Sequence, residues 1–437
     1  MEDKNLQKGW CIALLGDLLD YEQPTKYIVE NTDYSDKYET PVLTAGKSFL
    51  LGYTNETAGI FNNLPVIIFD DFTTAIKFVD FPFKVKSSAM KILVPTNVEV
   101  NIRYVHYFME TLRLNVDTHK RYWISVGALR SIPIAPLAEQ HRIVSKIEEL
   151  FSELDNGIET LKKAKQQLKI YRQAVLKYAF EGKLTNSDVK EGELPEGWVQ
   201  SSLGKVTIEK SGLRRGPFGS AIKKEFFVPS GFKVYEQGHA INNDPYRGRY
   251  FINDAKFHEL KNFEVLPGDL LVSCSGVTLG RIVEIPEDAD QGVINQALLR
   301  IRLRKEVILN KYFIQHFRAE FFQRKIFEQS QGTAMPNLVG IKDFKEIDIL
   351  LPPFQEQEQI VLEIESRLSI CDKIEESIEQ GLKQAEALRQ SILKRAFEGK
   401  LVPQDVRDEN ASILLERIKA ERAESQPQKK IKAKKNK

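Results

Sequence analysis

The hexapeptide AFEGKL occurs twice in the chain, at residues 179–184 and 396–401, and each copy ends a longer repeated segment. Displacing the sequence by 217 positions aligns residues 136–184 with residues 353–401 without a gap, and 21 of the 49 aligned positions are identical. An ungapped alignment of this length is typical of a continuous helix, because an insertion would rotate every later side chain onto another face. The repeat therefore predicts a chain built twice on one plan.

Apolar residues recur at seven-residue spacing along both repeated segments, which is the pattern of a coiled-coil seam. With Ile147 at heptad position a, the apolar positions a and d predict a seam formed by Ile147, Leu154, Leu161, Leu168, Val175, Ile364, Ile378, Leu388 and Ile392. About forty residues per helix give rods of roughly 60 Å. We expect the two rods to pair antiparallel with each other, and the alternative is two independent helices docked on separate domains.

Helix-terminating residues delimit the repeated segments. Each segment begins after a proline, Pro136 or Pro353, and ends near the glycine of the FEGKL sequence. Proline is tolerated at the start of a helix because its missing N–H has no partner there, and glycine is a frequent C-terminal cap. These signals predict one continuous helix in each repeat.

The segments 1–135 and 186–352 differ from the helices in composition. They are rich in aromatic residues, glycine and β-branched residues, with strand-like runs such as LPVIIFDD and GVINQALLRIRL. LQKGWCIALLGD at 6–17 is similar to LPEGWVQSSLGK at 194–205, and both segments close alike, before Pro136 and Pro353. Between these ends we find no convincing identity. The pattern predicts two mixed α/β domains that share a frame and differ inside it.

Composition favours a soluble cytoplasmic protein. Apolar residues make up 42% of the chain, and no run approaches the length of a membrane span. The N-terminus lacks the pattern of a signal peptide, and three solitary cysteines indicate a reducing compartment and argue against zinc. Residues 201–261 hold 11 Lys and Arg against 6 Asp and Glu. This stretch can face phosphates, although solvated loops would have the same charge.

Sequence motifs of catalysis are missing from the chain. It contains no Gly-x-Gly-x-x-Gly after a strand, no Walker loop, no His-Glu-x-x-His and no Gly-x-Ser-x-Gly. The run LLPPF at 350–354 resembles the Pro-Pro-aromatic run of DNA amino-methyltransferases, but it lacks the preceding Asn or Asp that bonds the target amine. We expect no catalytic, cofactor-binding or metal-binding residue in this chain.

The candidate nucleic-acid contacts lie in segments that combine cations, amides, aromatic side chains and glycine. Cations suit phosphates and guanine edges, and amides and hydroxyls suit base edges. A turn is the ordinary alternative for each glycine-rich segment. The candidates are Lys47, Ser48, Tyr53, Asn55, Lys120, Arg121, Tyr122, Arg214, Arg215, Ser220, Lys223, Lys224, Gln237, His239, Asn242, Thr333 and Asn337.

The sequence resembles the specificity subunits of type I restriction–modification enzymes. The resemblance rests on PLAEQHRIVSKIEELF with AFEGKL, repeated after a second variable segment that opens with LPEGW, and it extends to ASILLERIKAER at 411–422. The segments GPFGS and GTAMPNL are also similar to parts of that family's target-recognition domains. The first variable segment is shorter than the second, so its contacts carry over less securely.

The resemblance implies an α+β fold with a pseudo-two-fold internal repeat, in which two target-recognition domains are separated by two long antiparallel helices. The implied domains are target-recognition domain 1 (1–135), a central spacer helix (136–185), target-recognition domain 2 (186–352), a C-terminal spacer helix (353–402), and a short helix with a basic disordered tail (403–437).

The resemblance also implies a non-catalytic function. Each domain would recognise one half of a bipartite asymmetric DNA site, and the helices would set the gap. The partners would be double-stranded DNA, two modification (methyltransferase) subunits and restriction/translocase subunits, with S-adenosylmethionine and ATP/Mg bound by those partners. Two alternatives stay open, a coiled-coil adaptor that binds no DNA and a self-contained DNA methyltransferase.

Overall fold

A computed structural model describes residues 6–44, 48–112, 114, 122–186, 188–190, 192–274, 276, 278–327 and 338–425. The elements before the first long helix are β1 (Cys11–Leu14), α1 (Leu15–Leu18), β2 (Leu19–Glu22), β3 (Thr40–Leu43), β4 (Leu50–Thr54), β5 (Val66–Asp70), β6 (Ile76–Val79), β7 (Lys84–Val85), β8 (Met90–Pro95), α2 (Ile102–Met109) and β9 (Ser131–Ile134). The first long helix, α3, follows as Leu137–Phe180.

The second half of the chain repeats this order with more elements. They are β10 (Val199–Ser202), α4 (Leu203–Val206), β11 (Leu213–Arg215), β12 (Phe227–Val228), β13 (Phe232–Tyr235), α5 (Gln237–Asn242), β14 (Phe251–Ile252), α6 (Asp254–Glu259), β15 (Glu264–Val265), β16 (Leu270–Ser273), β17 (Ile282–Glu284), β18 (Gly292–Ile294), β19 (Leu298–Ile301), α7 (Asn310–Arg318), α8 (Glu320–Phe327), α9 (Ile341–Glu346) and β20 (Asp348–Leu351). The second long helix, α10 (Phe354–Phe397), and a final helix, α11 (Ala411–Ser425), complete the fold.

The chain forms two compact units. Unit 1 comprises Met1–Leu161 with Gln380–Lys437, and unit 2 comprises Lys162–Glu379. Each long helix therefore contributes one half to each unit. Unit 1 holds the start of α3 and the end of α10, whereas unit 2 holds the end of α3 and the start of α10.

The four-stranded sheets of the two units have the same topology, whereas the second sheet has three strands in unit 1 and five in unit 2. Unit 1 has a four-stranded sheet in the order β2-β8-β5-β6, and unit 2 has one in the order β11-β19-β16-β17. A second sheet in each unit contains one parallel pair, β3 with β7 and β13 with β18. The predicted α+β class and internal repeat are confirmed, and the repeat includes the segments in which sequence identity is not detectable.

The similar ends of the two variable segments are paired strands. In unit 1, β1 pairs antiparallel with β9, and in unit 2, β10 pairs antiparallel with β20. The indole N–H of Trp10 donates to Glu139 at 3.1 Å, and the indole N–H of Trp198 donates to Glu356 at 3.0 Å. A buried indole N–H needs such an acceptor. Each Trp therefore ties the start of its domain to the first turn of the helix that follows.

Each unit also packs a phenylalanine from the C-terminal end of one long helix. In unit 1, Phe397 lies edge-on to Tyr104, with ring centroids 5.1 Å apart, and in unit 2, Phe180 lies edge-on to Tyr312 at 5.3 Å. The two tyrosine hydroxyls donate to backbone carbonyls of the closing strand segments, at 2.8 and 2.9 Å. Both units therefore bury the helix end that carries the AFEGKL sequence.

Glycine ends both long helices in the left-handed conformation. Gly182 has φ of +77° and Gly399 has φ of +66°. A side chain at Gly182 would place its Cβ 2.1 Å from the ring of Pro195. Glycine is therefore required at this position both by its backbone conformation and by the close packing of the chain that follows.

The two long helices pair antiparallel within each unit, as predicted. In unit 2, Arg172 contacts Asp372 at 2.7 Å and Lys165 contacts Glu379 at 2.8 Å. A residue further along α3 therefore contacts a residue earlier in α10, which is the pairing of antiparallel helices. In unit 1, Arg389 contacts Asp155 in the same sense.

The prediction for Leu388 in this seam is wrong. The a row is buried or half-buried in both helices, but Leu388 at position d is 51% exposed. The row that faces the partner helix lies four residues after a. It consists of Phe151, Ile158, Lys165, Arg172 and Ala179 in α3, and of Leu368, Glu375, Leu382, Arg389 and Ala396 in α10. This row contains charged side chains that pair with carboxylates of the other helix. A pattern of apolar residues alone therefore does not identify it.

Candidate nucleic-acid interface

In unit 2, the segment after β11 lies tightly against the turn between β18 and β19. The backbone N–H of Gly216 donates to the carbonyl of Leu298 at 2.9 Å. A Cβ at Gly216 would lie 1.8 Å from the carbonyl oxygen of Asn295, and a Cβ at Gly219 would lie 2.5 Å from the amide oxygen of Gln296. A side chain at Gly216 would meet the backbone of Asn295, so this position requires glycine, whereas at Gly219 it would meet the movable end of the Gln296 side chain.

The predicted cations of this segment divide into two groups. Arg214 and Arg215 lie in β11, are half-buried, and pair in register with Arg300 and Leu299 of β19. Ser220, Lys223 and Lys224 are exposed, and Lys223 has a carboxylate of Glu225 at 3.7 Å. The exposed cations Lys223 and Lys224 are suited to contact DNA phosphates.

Helix α5 carries the next predicted contacts. Asn242 is exposed, and its amide donates to the carbonyl of Gly238 at 2.7 Å, while Gln237 is half-buried. The prediction for His239 is wrong. Its side chain is buried, burial lowers its pKa, and its Nδ1 accepts the backbone N–H of Glu236 at 2.9 Å. His239 caps its own helix and offers no edge to a base.

The predicted contacts in unit 1 lie in and around β4. Ser48 and Asn55 are exposed, and Tyr53 is half-buried within the strand. The prediction for Tyr122 is wrong, because its side chain is 5% exposed and its ring stacks on Phe69 at 6.3 Å between centroids. Lys47, Lys120, Arg121, Thr333 and Asn337 lie outside the described residues.

One cation of the basic stretch 201–261 is structural, as is a buried ion pair beyond that stretch. Lys233 is 2% exposed and contacts Asp290 at 2.8 Å and the carbonyl of Tyr246 at 3.1 Å. Buried Asp269 accepts two bonds from Arg302, at 2.6 and 2.7 Å. Buried cations need such partners, so these groups hold the sheets together and do not contribute to a phosphate-binding face.

Two exposed side chains of this surface were missed. Phe218 is 91% exposed at the tip of the GPFGS segment, and Gln296 is exposed beside it. The flanking glycines are the sequence signal that could have singled out Phe218. Gln296 could not have been found, because only the fold brings it next to residue 219.

Among the described residues, no group of three or more His, Cys, Asp or Glu side chains could hold a metal ion. Within the same part of the chain, no helix is long and apolar enough to cross a membrane.

Comparisons with known proteins define the family. Residues 195–384 match the family described as type I restriction modification DNA specificity domain. The chain is 31% identical over 312 residues to the Salmonella potsdam type I restriction enzyme StySPI specificity subunit, a match that covers 68% of this chain and 65% of the relative. The chain belongs to the type I restriction–modification specificity subunits.

A second relative of this family matches a shorter region more strongly. The specificity subunit of the Escherichia coli type I restriction enzyme EcoR124I/EcoR124II is 46% identical over 181 residues, which cover 38% of this chain and 44% of the relative. The chain thus spans less than two thirds of the length of the curated relatives it matches.

Solved structures of this family share the fold. A chain from a study of the complex assembly of a type I R-M system aligns with a TM-score of 0.67 and 18% identity, covering 91% of this chain and 99% of that one. The HsdS subunit from Thermoanaerobacter tengcongensis aligns with a TM-score of 0.50 and 17% identity, covering 92% and 99%. At these identities the likeness supports the fold and not the identity of individual contacts.

Proposed function

We propose that this chain is the DNA sequence-specificity subunit of a type I restriction–modification complex. The recognition part of each unit recognises one half of a bipartite, asymmetric DNA site. Helices α3 and α10 set the gap between the half-sites and dock the modification subunits. The observation that carries the proposal is that the two units share the strand order of their four-stranded sheets and one helix frame but differ in their exposed loops.

The outer faces of the long helices support docking of partner subunits. Large apolar side chains on these helices are exposed. They are Ile170 (70%), Tyr171 (47%), Tyr178 (54%), Leu362 (66%), Ile370 (57%), Ile374 (44%) and Leu388 (51%). Exposed apolar residues in this number along helices are typical of protein interaction surfaces. We propose that two modification subunits cover them, and that restriction/translocase subunits join the same complex.

The proposal assigns no catalytic step to this chain. The run LLPPF has a structural role, because Leu351 pairs with Val199 in the strand ladder and the carbonyl of Leu350 accepts the hydroxyl of Tyr312 at 2.9 Å. S-adenosylmethionine and ATP/Mg are bound by the partner subunits, and the complex acts in the cytoplasm. Methylation of the DNA site is therefore expected to require both this chain and the modification subunits.

A domain exchange tests the assignment of half-sites. Residues 190–350 are replaced by the corresponding segment of another specificity subunit, and genomic methylation is mapped in cells with the original chain, the exchanged chain and neither. We expect methylation to depend on the chain and the exchange to alter one half-site only. A change in both half-sites, or methylation without the chain, would contradict the proposal.

A matched insertion tests the role of the helices. One heptad is inserted into each helix at the boundary between the units, after Leu161 in α3 and after Glu379 in α10. Seven residues add about 10 Å to the pair, and we expect a gap about three base pairs longer with both half-sites unchanged. Insertion into α3 alone is the control, because it shifts the pairing of the seam and should abolish methylation. An unchanged gap in the double insertion would refute the role of the helices.

A further inference from the structure

Phe218 is an isolated aromatic side chain on a rigid part of unit 2. It is 91% exposed, whereas the other exposed phenylalanines of this unit, Phe321 and Phe354, are 37% and 41% exposed. A single exposed apolar residue is common on protein surfaces. Phe218 differs because of how the backbone holds it and because of the groups around it.

The backbone on both sides of Phe218 is fixed. Before it, the N–H of Gly216 donates to the carbonyl of Leu298 at 2.9 Å, and Pro217 is buried. After it, the N–H of Ala221 donates to the carbonyl of Phe218 itself at 2.9 Å, within a short 3₁₀ turn. The aromatic ring is therefore presented from a preorganised loop, which lowers the entropy lost on binding.

The groups around Phe218 suit duplex DNA. Exposed Ser220, Lys223 and Lys224 follow it within six residues, and the exposed amide of Gln296 lies beside Gly219. Cations that bind phosphates and amides that bond base edges are the two contact types of a DNA-reading surface. An exposed apolar ring on the same loop suits the stacked bases, which are the apolar part of a duplex.

We propose that Phe218 inserts between adjacent base pairs of the half-site recognised by residues 190–350. Apolar side chains on DNA-binding proteins unstack base steps in this way, and the resulting distortion brings more protein surface onto the duplex. This inference rests on the proposed function and extends it, because it assigns part of the affinity to a contact that reads no base edge. Its energy comes from stacking, which any base provides.

The test uses the complex of the full chain with its modification subunits and a duplex carrying the mapped site. 2-Aminopurine replaces one base at a time in this half-site, excluding the methylated adenine. On binding of the original complex we expect fluorescence to rise at one base step. In Phe218→Ala we expect that rise to disappear and the Kd to weaken about tenfold. The salt dependence of binding should stay unchanged, because no phosphate contact is lost.

Two further variants separate the possible causes. Phe218→Trp keeps an aromatic ring and should retain the fluorescence rise and the affinity. Ile208→Ala removes an exposed apolar side chain of the same unit that lies outside the long helices, and it should leave both readouts unchanged. Unaltered fluorescence and Kd in Phe218→Ala would overturn the inference. So would loss of the modification subunits from that variant, which would make Phe218 a contact for a protein.

The control for the underlying function is separate. The original complex must bind the mapped duplex more tightly than a duplex in which this half-site is scrambled. Equal binding of the two duplexes would refute the proposed function itself. Discrimination by the original complex, together with unchanged behaviour of Phe218→Ala, would refute only the insertion.

Discussion

Units 1 and 2 share their internal frame and differ in what they expose. The Trp10–Glu139 bond of unit 1 has its equivalent in Trp198–Glu356 of unit 2, and the strand orders of the four-stranded sheets correspond. The exposed loops show no such correspondence in length or residue type. The comparison shows that a fixed packing frame can carry two different recognition surfaces, because the frame contacts are buried or lie at the helix starts.

Helix α11 belongs to unit 1 and has no equivalent in the described part of unit 2. Its side chains Leu414, Leu415 and Ile418 are buried in the core of unit 1, and the N–H of Ala411 donates to the carbonyl of Gly9 at 2.9 Å. In unit 2, residues 181–198, apart from 187 and 191, contain no helix at the corresponding place. Unit 1 therefore depends on the C-terminal segment for part of its core, and unit 2 does not.

Ending the chain after Glu409 should have the largest effect on this comparison. Burial of a large aliphatic side chain contributes about 1.5–3 kcal/mol, so loss of Leu414, Leu415 and Ile418 should destabilise unit 1 by about 5 kcal/mol or more. Hydrogen exchange measured by mass spectrometry should show faster exchange in β1 and α2 and unchanged exchange in β16 and α7.

A milder variant guards against a chain that fails to fold. Leu414→Ala keeps the helix and should give the same unit-specific pattern with a smaller change, about 2–5 kcal/mol. Ile413→Ala is the matched control, since Ile413 is 44% exposed on the same helix. Equal destabilisation of both units by Leu414→Ala would mean that they do not fold as separate cores.

Much of the frame could be predicted from the sequence, because repetition preserves what packing constrains. The long helices, their glycine ends and position a of the seam all follow from the 217-residue repeat. The prediction for Leu388 failed because the row four residues after a also packs between the helices, where Lys165 and Arg172 bury their aliphatic chains while their charged ends reach carboxylates. Apolar Leu388 instead lies at the exposed edge.

The candidate contacts were less accessible to prediction. Tyr122 and His239 have the chemistry of a DNA contact, but their side chains are buried. Lys233 adds to the basic count of its stretch, but Asp290 neutralises it inside the unit. Composition indicates which segments carry polar groups, and only the fold determines which of those groups face solvent. The shared strand order of the two four-stranded sheets could not be predicted from the sequence either, because many different sequences can form a sheet with the same strand order.

A buried histidine of unit 2 occupies the place of a phenylalanine in unit 1. Phe108 lies 5.2 Å from the ring of Phe397, at an interplanar angle of 75°, and His316 lies 4.7 Å from the ring of Phe180 at the same angle. Burial lowers the pKa of His316 to about 3, and its Nδ1 has no hydrogen-bond partner. The unfolded chain has an ordinary histidine pKa of about 6.5. Below that pH, His316 is protonated in the unfolded state but stays neutral in the folded state.

His316→Phe should therefore reduce the acid sensitivity of unit 2. The stability associated with neutral His316 is fully present above pH 6.5, and about 1.4 kcal/mol is lost for each pH unit below it until about pH 3. Between pH 7.5 and 5.5 we expect protection factors in α7 of the original chain to fall by about tenfold more than those of His316→Phe. These factors are normalised to the unfolded chain at each pH.

Unit 1 provides the control for this pH effect. It has its own buried histidine, His106, whose pKa burial lowers to about 4, so it should also lose stability in acid. His316→Phe should leave that loss unchanged. An equal pH response of α7 in the variant and the original chain would show that His316 does not titrate on unfolding of unit 2.

The smallest expected effect compares two equivalent arginines of the helix seam. Arg172 contacts two carboxylates, Asp372 at 2.7 Å and Glu375 at 3.2 Å. Arg389, which lies 217 positions later, contacts Asp155 and places its guanidinium 4.1 Å from the ring centroid of Phe151. Both side chains are partly exposed, so each substitution by alanine should destabilise its unit by about 0.5–1 kcal/mol.

Salt should distinguish the two arginines even though the losses are similar in size. Ion pairs at exposed sites are screened at high ionic strength, so the effect of Arg172→Ala should shrink between 0.05 and about 1 M NaCl. The effect of Arg389→Ala should shrink less, because salt screens the ion pair with Asp155 but the contact with the face of Phe151 does not depend on a second charge. Urea unfolding of each variant at the two salt concentrations measures both effects. Equal salt dependence would mean that the ring contributes nothing at Arg389, and the two ends of the seam would then be held by the same ionic interaction.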